Sequence, residues 1–464
     1  MAPNRLSALD VSFLDVETAS AHMHVGWAAA FDPPDERPAP SFEQLRDHIG
    51  RRLHRAPRYR QRLVGVPLGV ARPVWVDDDR FDITRHVRPA GGTSLAELAG
   101  SVLSTPLGRE LPLWELWIAD RLDDGRIGVV GKAHHCMVDG IAAVELATVL
   151  LDPEPDWPPD PPDEWAPAES PGQVRLLVDG LVDRARGQLA LAGSAARLVR
   201  SPGKLASGAQ RAGGALLNSL APASPLDALN APISPYRTLA TLGRPMDELR
   251  AIKRSFDCTI NDVVLAASCA GVRRHLERHR ERPARLKAMV PVNVRGGDAQ
   301  GELGNRISFI FLELPCDEPG AEQRLRRISL ATKHAKASGE PAGATTVLDL
   351  AASAPSVLQR AMSRLVASPR TFNVVVSNIP GPQVPVWMLG CRLCEAYPIV
   401  PLADRHALSI GFTTVAGGAF FGIYADRDAA PDAELLAGDI GDALDELREL
   451  APAGTTREAE PIPR

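Results

Sequence analysis

The sequence predicts an α/β (α+β) protein of two domains, and three observations support this prediction. The chain has 464 residues, which is more than a single hydrophobic core usually serves. Short apolar runs typical of strands alternate with segments whose apolar residues recur at helical spacing. Over residues 152–165 the composition changes abruptly to DPEPDWPPDPPDEW, a proline-rich acidic segment that is expected to run as an extended linker rather than as helix or sheet.

This linker divides the chain into three parts. We predict a first domain over 1–151, a connection over 152–235 and a second domain over 236–464. Within the connection, residues 174–199 carry apolar side chains at helical spacing, and seven basic residues accompany two acidic ones between 174 and 211. A basic amphipathic helix of this kind either lies on an anionic membrane surface or packs its apolar stripe on the protein as a bridge between domains.

Composition and charge exclude several classes of function. The chain is 45% hydrophobic and 23% charged, as in a globular protein, and its 52 basic and 57 acidic residues give a net charge of −5. A nucleic-acid partner is not expected, because there is no basic excess and no zinc-finger or phosphate-loop pattern. The basic patch RRLHRAPRYRQR over 51–62 is interpreted either as a contact for a phosphate-bearing ligand or as a solvated helix end.

Cysteine usage and hydropathy indicate a cytoplasmic protein. Cys391 and Cys394 form one Cys-x-x-Cys motif without a second pair, so the six scattered cysteines are interpreted as reduced thiols rather than as a metal or redox centre. His22 and His24 share a strand face but have no third ligand nearby in the sequence, so no metal site is expected. The N-terminus lacks the apolar core of a signal peptide and no apolar window approaches 18 residues, so any contact with the inner face of the membrane or with lipid droplets should be peripheral.

The stretch that organises the first domain is RIGVVGKAHHCMVDG, residues 126–140. Its apolar run over 127–135, bounded by turn residues, predicts a strand of about eight residues. Because side chains alternate faces along a strand, His134 and His135 must point to opposite sides of the sheet. The face of His135 carries small residues, which is expected to leave room for another molecule above it. After the strand, Asp139 is placed to cap a helix.

Five separated motifs carry a resemblance to a known family. HHCMVDG fits His-His-x-x-x-Asp-Gly, the signature of chloramphenicol acetyltransferase-type acyltransferases and of peptide-synthetase condensation domains. Together with it, the remaining motifs resemble the bacterial bifunctional wax ester synthase/diacylglycerol acyltransferase family in order and over nearly the whole chain. They are LSALDVSFLDVETASAHMHVG (6–26), PLGRELPLWE (106–115), TINDVVLA (259–266) and SNIPGP (377–382).

The resemblance implies both a fold and a reaction. It implies two chloramphenicol acetyltransferase-like domains, each a mixed sheet flanked by helices, with a tunnel between them. The reaction would transfer a long-chain fatty acyl group from acyl-CoA to the hydroxyl of diacylglycerol, giving triacylglycerol, or to a long-chain alcohol, giving a wax ester. Acyl-CoA is then a co-substrate, and no permanently bound cofactor or metal is implied.

Within that reaction, His135 is predicted to be the general base. A neutral hydroxyl is a poor nucleophile at pH 7, and an imidazole of ordinary pKa can take its proton. Attack is expected to be direct, without an acyl-enzyme, because Cys136 faces away from His135 on the strand. His134 is predicted to support its neighbour structurally.

Two further residues of the signature are expected to shape the histidine loop. Asp139 either caps the following helix or, as the resemblance suggests, forms a buried ion pair for which Arg295 is a candidate partner. Gly140 fits a position where a side chain would obstruct the turn or the tunnel.

The other motifs supply candidates for oxyanion stabilisation and acyl binding. Asn261 is the first oxyanion candidate, although an asparagine before an apolar run is also a common helix N-cap. Asp262, Ser377 and Asn378 are further oxyanion or substrate candidates. The segment Pro112-Leu113-Trp114 either lines the acyl channel or anchors packing in the domain.

Two other functions are weighed against this one. The first is a condensation-type acyltransferase that acts on carrier-bound groups, which is disfavoured because no carrier segment with its Gly-x-Ser-Leu attachment site is expected to be appended and because the flanking motifs differ. The second is a non-catalytic protein that binds lipid inclusions, which the intact His135 disfavours.

Overall fold

Two lobes, each built on a mixed sheet, make up the chain. A computed structural model describes residues 4–137, 149–199, 222–293, 307–337 and 356–451. Within these residues, two six-stranded sheets with separate hydrophobic cores define a first and a second lobe. The predicted α/β architecture of two mixed sheets flanked by helices is therefore confirmed.

The first lobe is organised by a sheet in the order β12-β13-β2-β7-β6-β5. Its strands are β2 (His24–Asp32), β5 (Val87–Pro89), β6 (Trp114–Ala119), β7 (Ile127–His134), β12 (Trp387–Met388) and β13 (Cys391–Ile399). Only β5 and β6 pair in parallel. The helices are α1 (Ala8–Val16), α2 (Phe42–Arg52) and α3 (Leu95–Leu103), and each begins with a serine capping box that satisfies the free N–H groups of its first turn.

A smaller sheet lies beside this lobe. It has the order β1-β4-β3, and its antiparallel strands are β1 (Asn4–Arg5), β3 (Gln61–Val64) and β4 (Val74–Asp77). Short 3-10 helices connect these elements at Leu53–Arg55, Pro57–Arg60, Pro67–Gly69 and Ile83–Arg85.

The second lobe is organised by a sheet in the order β10-β9-β11-β14-β15-β8. Its strands are β8 (Arg237–Pro245), β9 (Arg285–Asn293), β10 (Ile307–Pro315), β11 (Val374–Asn378), β14 (Leu408–Val415) and β15 (Gly418–Asp426). β11 runs parallel to both of its neighbours, whereas the other pairs are antiparallel. The remaining helices are α4 (Gln173–Val199), α5 (Asp227–Asn230), α6 (Met246–Ser255), α7 (Ile260–Arg278), α8 (Ala321–Ala337), α9 (Ser356–Val366) and α10 (Ala433–Leu450).

Two strands depart from the predicted partition of the chain. β12 and β13 lie within the range 236–464 assigned to the second domain, yet both belong to the first sheet, where β13 pairs with β2. The backbone can cross at this point because Gly411 and Gly422 leave space for Pro398 of β13: a Cβ at Gly411 would lie 2.9 Å from the Pro398 ring, and one at Gly422 would collide with the Pro398 carbonyl. β13 therefore belongs to the first sheet and packs against the second.

A buried arginine also ties the two lobes together. Arg237, at the start of β8, pairs with Asp426 at 2.9 Å, and both side chains are almost fully buried. Its backbone N–H donates to Ser104 Oγ at 2.8 Å, and its guanidinium donates to the carbonyl of Ser20. Ser20 lies just before β2 in the first lobe, so this contact fixes the entry to the strand that pairs with the histidine-bearing strand β7.

The proline-rich segment forms neither helix nor strand over 153–172, as predicted, but it does not run free. Arg52 Nη2 lies 2.5 Å from Asp152 Oδ1, and Arg52 Nε lies 2.6 Å from Asp160 Oδ2. Arg60 pairs with Asp163 in the same way. The buried arginines of the basic patch at 51–62, Arg52 and Arg60, therefore bind the acidic linker of the same chain and are neither a ligand contact nor part of a solvated helix end.

The start of α4 packs on the protein. Leu176 is fully buried against Val74 and Val76 of the small sheet. A Cβ at Gly180 would lie 3.1 Å from Val66, so the helix backbone approaches the first lobe closely at this glycine. The first turns of this helix therefore pack on the protein through Leu176, whereas Leu181 of the predicted apolar stripe is 50% exposed. No helix among the described residues has both the length and the apolar character needed to cross a membrane.

Replacing the buried Arg52 is expected to have a large effect on the stability of the fold. We expect Arg52→Met to lower the free energy of unfolding by about 3–5 kcal/mol, because the buried Asp152 would lose its arginine partner and Asp160 would keep only Arg55. The measurement is urea denaturation followed by circular dichroism. Arg37→Met is the matched control, since its partner Asp156 is 87% exposed and such a pair contributes less than about 1 kcal/mol. Equal midpoints for wild type and Arg52→Met would contradict this account of the linker.

Candidate active site

The two adjacent histidines lie at the end of the central strand β7. Every residue of β7 is buried, and His134 is paired in register with His24 of β2. The backbone N–H of His134 donates to the Leu113 carbonyl at 2.9 Å, and that of His135 donates to the Met23 carbonyl at 2.9 Å. The predicted strand is thus confirmed, except that it ends one residue earlier, at His134. Hydrogen bonds to the residues just before β6 and β2 hold the histidine pair.

The His135 ring stacks on an aromatic side chain of α1. Its centroid lies 3.6 Å from that of Phe13, with an angle of 8° between the ring planes. α1 is in turn held by α9 of the second lobe, because Gln359 Nε2 donates to the Ala8 carbonyl at 3.2 Å and Arg360 pairs with Asp15 at 3.1 Å. Residues from both lobes therefore fix the orientation of this imidazole.

The environment of His135 keeps its ring neutral. Nδ1 is buried and has no hydrogen-bond partner among the described residues. Desolvation lowers the pKa of His135 to about 4, against a weaker opposing effect of its own carbonyl. The residue is partly exposed as a whole although Nδ1 is buried. If Nδ1 holds the proton, Nε2 carries the free lone pair of the ring at neutral pH.

His134 occupies the opposite, closed face of the strand. Its ring is 1% exposed, and Nδ1 accepts a hydrogen bond from the Cys136 N–H at 3.1 Å. The proton of the neutral ring therefore sits on Nε2, which lies 3.7 Å from Glu17 Oε2. Burial, followed by the nearby charge of Arg109, lowers the pKa of His134 to about 3. Arg109 itself pairs with Glu17, so the ion pair beside His134 does not need a charged imidazole.

Cys136 is unsuited to carry an acyl group. Its side chain is 3% exposed, and burial raises the pKa of its thiol well above the ordinary value. Because the thiolate is the nucleophilic form of cysteine, a thiol held protonated in this way is a poor nucleophile.

The space expected above the His135 face is partly filled by the protein. A Cβ at Gly131 would lie 2.9 Å from Trp27 Cε2 and 3.0 Å from Leu116 Cδ2. The expectation that the small residues of this face leave room for another molecule is therefore wrong at Gly131, where the missing side chain admits an indole from the paired strand.

His22 and His24 lie at the entry to β2. Neither belongs to a three-ligand metal cluster among the described residues. His22 Nε2 lies 3.0 Å from the Ala19 carbonyl, and burial lowers the pKa of both rings, that of His24 most strongly.

The candidate Asn261 stands in the first turn of α7 and does not cap it. The N-cap is Thr259, whose side chain accepts from the Asp262 N–H at 3.2 Å. The N-cap interpretation of Asn261 is therefore wrong. Asp262 is fully buried, and its carboxylate accepts from the Thr259 N–H at 2.9 Å and from the Thr332 hydroxyl at 2.6 Å. No hydrogen bond within the described part of the chain engages the Asn261 amide, so that amide is available to a ligand.

Ser377 and Asn378 end strand β11 in the second lobe, against which α7 also packs. Ser377 is 7% exposed and is paired with Gly411, the glycine that contacts β13 of the first lobe. Asn378 is exposed. These candidates therefore lie near the junction of the two sheets.

The Pro112-Leu113-Trp114 segment packs in the core of the first lobe. Leu113 is fully buried and Trp114 is 2% exposed. The indole N–H of Trp114 donates to the Tyr59 carbonyl at 2.7 Å, and the Trp114 ring stacks on His86 with centroids 4.7 Å apart. Of the two interpretations of this segment, these contacts support the packing anchor. The remaining predicted residues, Asp139, Gly140 and Arg295, lie outside the described residues.

Several residues that shape the site received no role from the sequence. They are Phe13 and Glu17 of the first motif and Arg109 of the second. The resemblance marks both motifs as segments, and that is the signal that points to this region. Nothing in their spacing indicates that Phe13 reaches the ring of His135 or that Glu17 meets Arg109. The first two motifs thus meet at the histidine pair of the third.

Comparison with known proteins relates the whole chain to lipid acyltransferases. A family model described as the wax ester synthase/diacylglycerol acyltransferase catalytic domain matches residues 6–264, and one described as the WS/DGAT C-terminal domain matches 303–448. A probable diacylglycerol O-acyltransferase of Mycobacterium tuberculosis is 33% identical over 457 residues, covering 96% of each chain. A second one from that species is 30% identical, covering 97% of this chain and 98% of the relative.

Solved structures show the same relationship at the level of the fold. The wax ester synthase/diacylglycerol acyltransferase of Marinobacter aquaeolei VT8 superposes with a TM-score of 0.71 at 25% identity, covering 97% of this chain and 99% of that one. The first condensation domain of the CDA synthetase superposes with a TM-score of 0.58 at 16% identity, covering 97% of both chains.

Proposed function

The chain belongs to the wax ester synthase/diacylglycerol acyltransferase family, and from that premise we propose that His135 is the general base of its reaction. The enzyme is an acyltransferase that moves a fatty acyl group to the hydroxyl of diacylglycerol or of a long-chain alcohol. Acyl-CoA is the donor. The observation that carries the assignment of the base is a neutral, stacked imidazole whose Nδ1 is buried in a residue that is partly exposed as a whole.

The base acts in one direct displacement. Nε2 of His135 takes the proton of the acceptor hydroxyl while the oxygen attacks the thioester carbonyl. The tetrahedral intermediate then collapses, the carbon–sulfur bond breaks, and the thiolate of coenzyme A receives the proton from the imidazolium. Burial raises the free energy of the imidazolium. The charged ring therefore exists only between these two proton transfers.

Phe13 and His134 position this base. The stacking of Phe13 fixes the plane of the imidazole and excludes water from one of its faces. The backbone of His134 is anchored to the Leu113 carbonyl, and its neutral ring is held by the Cys136 N–H. Holding a reactive group in its attack geometry is itself a large part of catalysis.

Asn261 is the preferred oxyanion donor. Its amide is not used by the helix cap, and it lies in the first turn of α7, where the helix dipole favours negative charge. Asp262 fixes this turn by bonding both Thr259 and Thr332. Ser377 and Asn378, near the sheet junction, are the second choice. The interlobe tunnel that both substrates need would run past His135, between α1 and the second lobe.

Replacing the base tests this mechanism. We expect His135→Ala to lower the rate of acyl transfer by a factor of about 10²–10⁴, measured as release of the coenzyme A thiol from palmitoyl-CoA with dioleoylglycerol or hexadecanol as acceptor. The relative rates with the two acceptors identify the preferred product class.

His54→Ala is the matched control, because His54 is an exposed histidine of the same lobe and its loss should leave the rate unchanged. Turnover of His135→Ala at the wild-type rate, with an intact circular dichroism spectrum, would exclude His135 as the base.

Peripheral contact with an anionic lipid surface is the second part of the proposal. Val174, Val178 and Leu181 on α4 are 76%, 52% and 50% exposed, and Leu68 at a neighbouring turn is 90% exposed. Leu68 also adopts a left-handed backbone with φ of 59°, which is costly for a leucine. Arg175 beside this patch is largely exposed. Apolar side chains flanked by cations suit the interface of an anionic bilayer.

Vesicle flotation tests the lipid surface. We expect the wild-type protein to float with phosphatidylglycerol-containing vesicles and the double variant Leu68→Glu/Val178→Glu to remain in the dense fraction, because each glutamate would have to enter the apolar interface. Leu435→Glu is the control, since Leu435 is 57% exposed on α10 and away from this patch in the sequence. Equal flotation of the double variant and the wild type would contradict the proposed surface.

A further inference from the structure

Two histidines of α7 and an aspartate at the start of α10 lie together in the second lobe. His275 and His279 are one helical turn apart, and Asp432 precedes α10. One ligand atom from each residue lies within 4.8 Å of the others. His275 is fully buried, whereas His279 and Asp432 reach the surface. Among the described residues this is the one cluster of three potential metal ligands.

Two distances within this cluster are long for hydrogen bonds and close to the spacing of ligand atoms around one cation. His275 Nδ1 lies 3.3 Å from Asp432 Oδ2, and His279 Nε2 lies 3.3 Å from Asp432 Oδ1. An N–H···O hydrogen bond is usually about 2.7–3.2 Å long. Zinc binds nitrogen and oxygen at about 2.0–2.1 Å in a tetrahedron, whose ligand atoms are consequently about 3.3–3.4 Å apart.

The tautomer of His275 leaves one ring nitrogen free to bind a cation. His275 Nε2 lies 3.3 Å from the Ala228 carbonyl, which can only accept, so Nε2 carries the proton of the neutral ring. The lone pair of Nδ1 then faces the Asp432 carboxylate, and Nδ1 has no hydrogen-bond partner within the described part of the chain.

Asp432 is aimed away from its own helix. It occupies the N-cap position of α10 but makes no side-chain cap hydrogen bond, although aspartate is among the preferred capping residues. Its carboxylate is turned toward α7 instead. Arg278 Nε also approaches Asp432 Oδ2, at 3.2 Å, but the same guanidinium pairs with Asp439. Asp439 can therefore hold Arg278 when Asp432 binds a metal.

We propose that His275, His279 and Asp432 bind one Zn²⁺ ion that fastens the C-terminal end of α7 to the start of α10. Two imidazoles at i and i+4 on one helix with one carboxylate are a ligand set and spacing that zinc uses, and the exposed side of the cluster leaves the fourth position to water. The site is structural and takes no part in acyl transfer. It goes beyond the expectation from the sequence, which contained no metal site.

Zinc titration of the full-length protein tests this site. After treatment with EDTA, the protein is titrated with ZnCl₂ by calorimetry, and bound zinc is counted by mass spectrometry after gel filtration. We expect one zinc per chain, and at least a tenfold loss of affinity in His279→Gln and in Asp432→Asn. His54→Gln, a variant of an exposed histidine outside the cluster, should bind as the wild type does. Absence of stoichiometric zinc, or binding unchanged in both ligand variants, would overturn the proposal.

Arg278→Gln separates a metal site from a network of ion pairs. Removing this cation should strengthen zinc binding, because its charge repels the metal and competes for Asp432. If the cluster were only an ion-pair network, zinc would raise the melting temperature of neither this variant nor the wild type, and that result would also overturn the proposal. The zinc-free enzyme should retain its His135-dependent activity, so a failure of this site is distinguishable from a failure of the proposed mechanism.

Discussion

The removal of the His135 imidazole from water is the constraint on which the proposed chemistry depends. Stacking on Phe13 and burial of Nδ1 lower the pKa of His135 to about 4, so the ring stays neutral at every pH at which the enzyme is expected to work. The same desolvation makes the imidazolium unstable, which favours rapid return of the proton to the leaving thiolate. A base of this kind is always available, although it is intrinsically weaker than an exposed histidine.

The surrounding fold maintains this arrangement through contacts between the lobes. α1, which carries Phe13, is held by α9. Arg237 of the second lobe reaches the segment that enters β2, the strand paired with β7. β13 belongs to the first sheet but packs on the second through Pro398. A shift between the lobes would therefore move the ring plane of His135, so stability and catalysis share the same contacts.

Local patterns predicted the parts of the molecule that depend on neighbours in sequence. The alternation of β7 predicted the opposite faces of His134 and His135, and composition predicted a linker without helix or strand. Contacts between distant segments were not predictable: Phe13 meets a histidine more than a hundred positions away, and Arg52 binds aspartates of the linker. β13 was missed because its charged residues and a bulge near Glu395 obscure its alternation. Sequence spacing carries no information on such pairings, which follow from the register of strands and the docking of helices.

The most direct test of the central claim is the pH dependence of kcat/KM for the alcohol at saturating acyl-CoA, with folding followed by circular dichroism. At saturating acyl-CoA, the ionisation of the acyl-CoA phosphate, which has a pKa of about 6, no longer affects the rate through binding. Protonation of His135 abolishes the base, so the rate should stay level as the pH falls through 6.5 and should decline only on approach to about 4. An acid limb centred near 6.5, the ordinary pKa of histidine, would contradict a desolvated base.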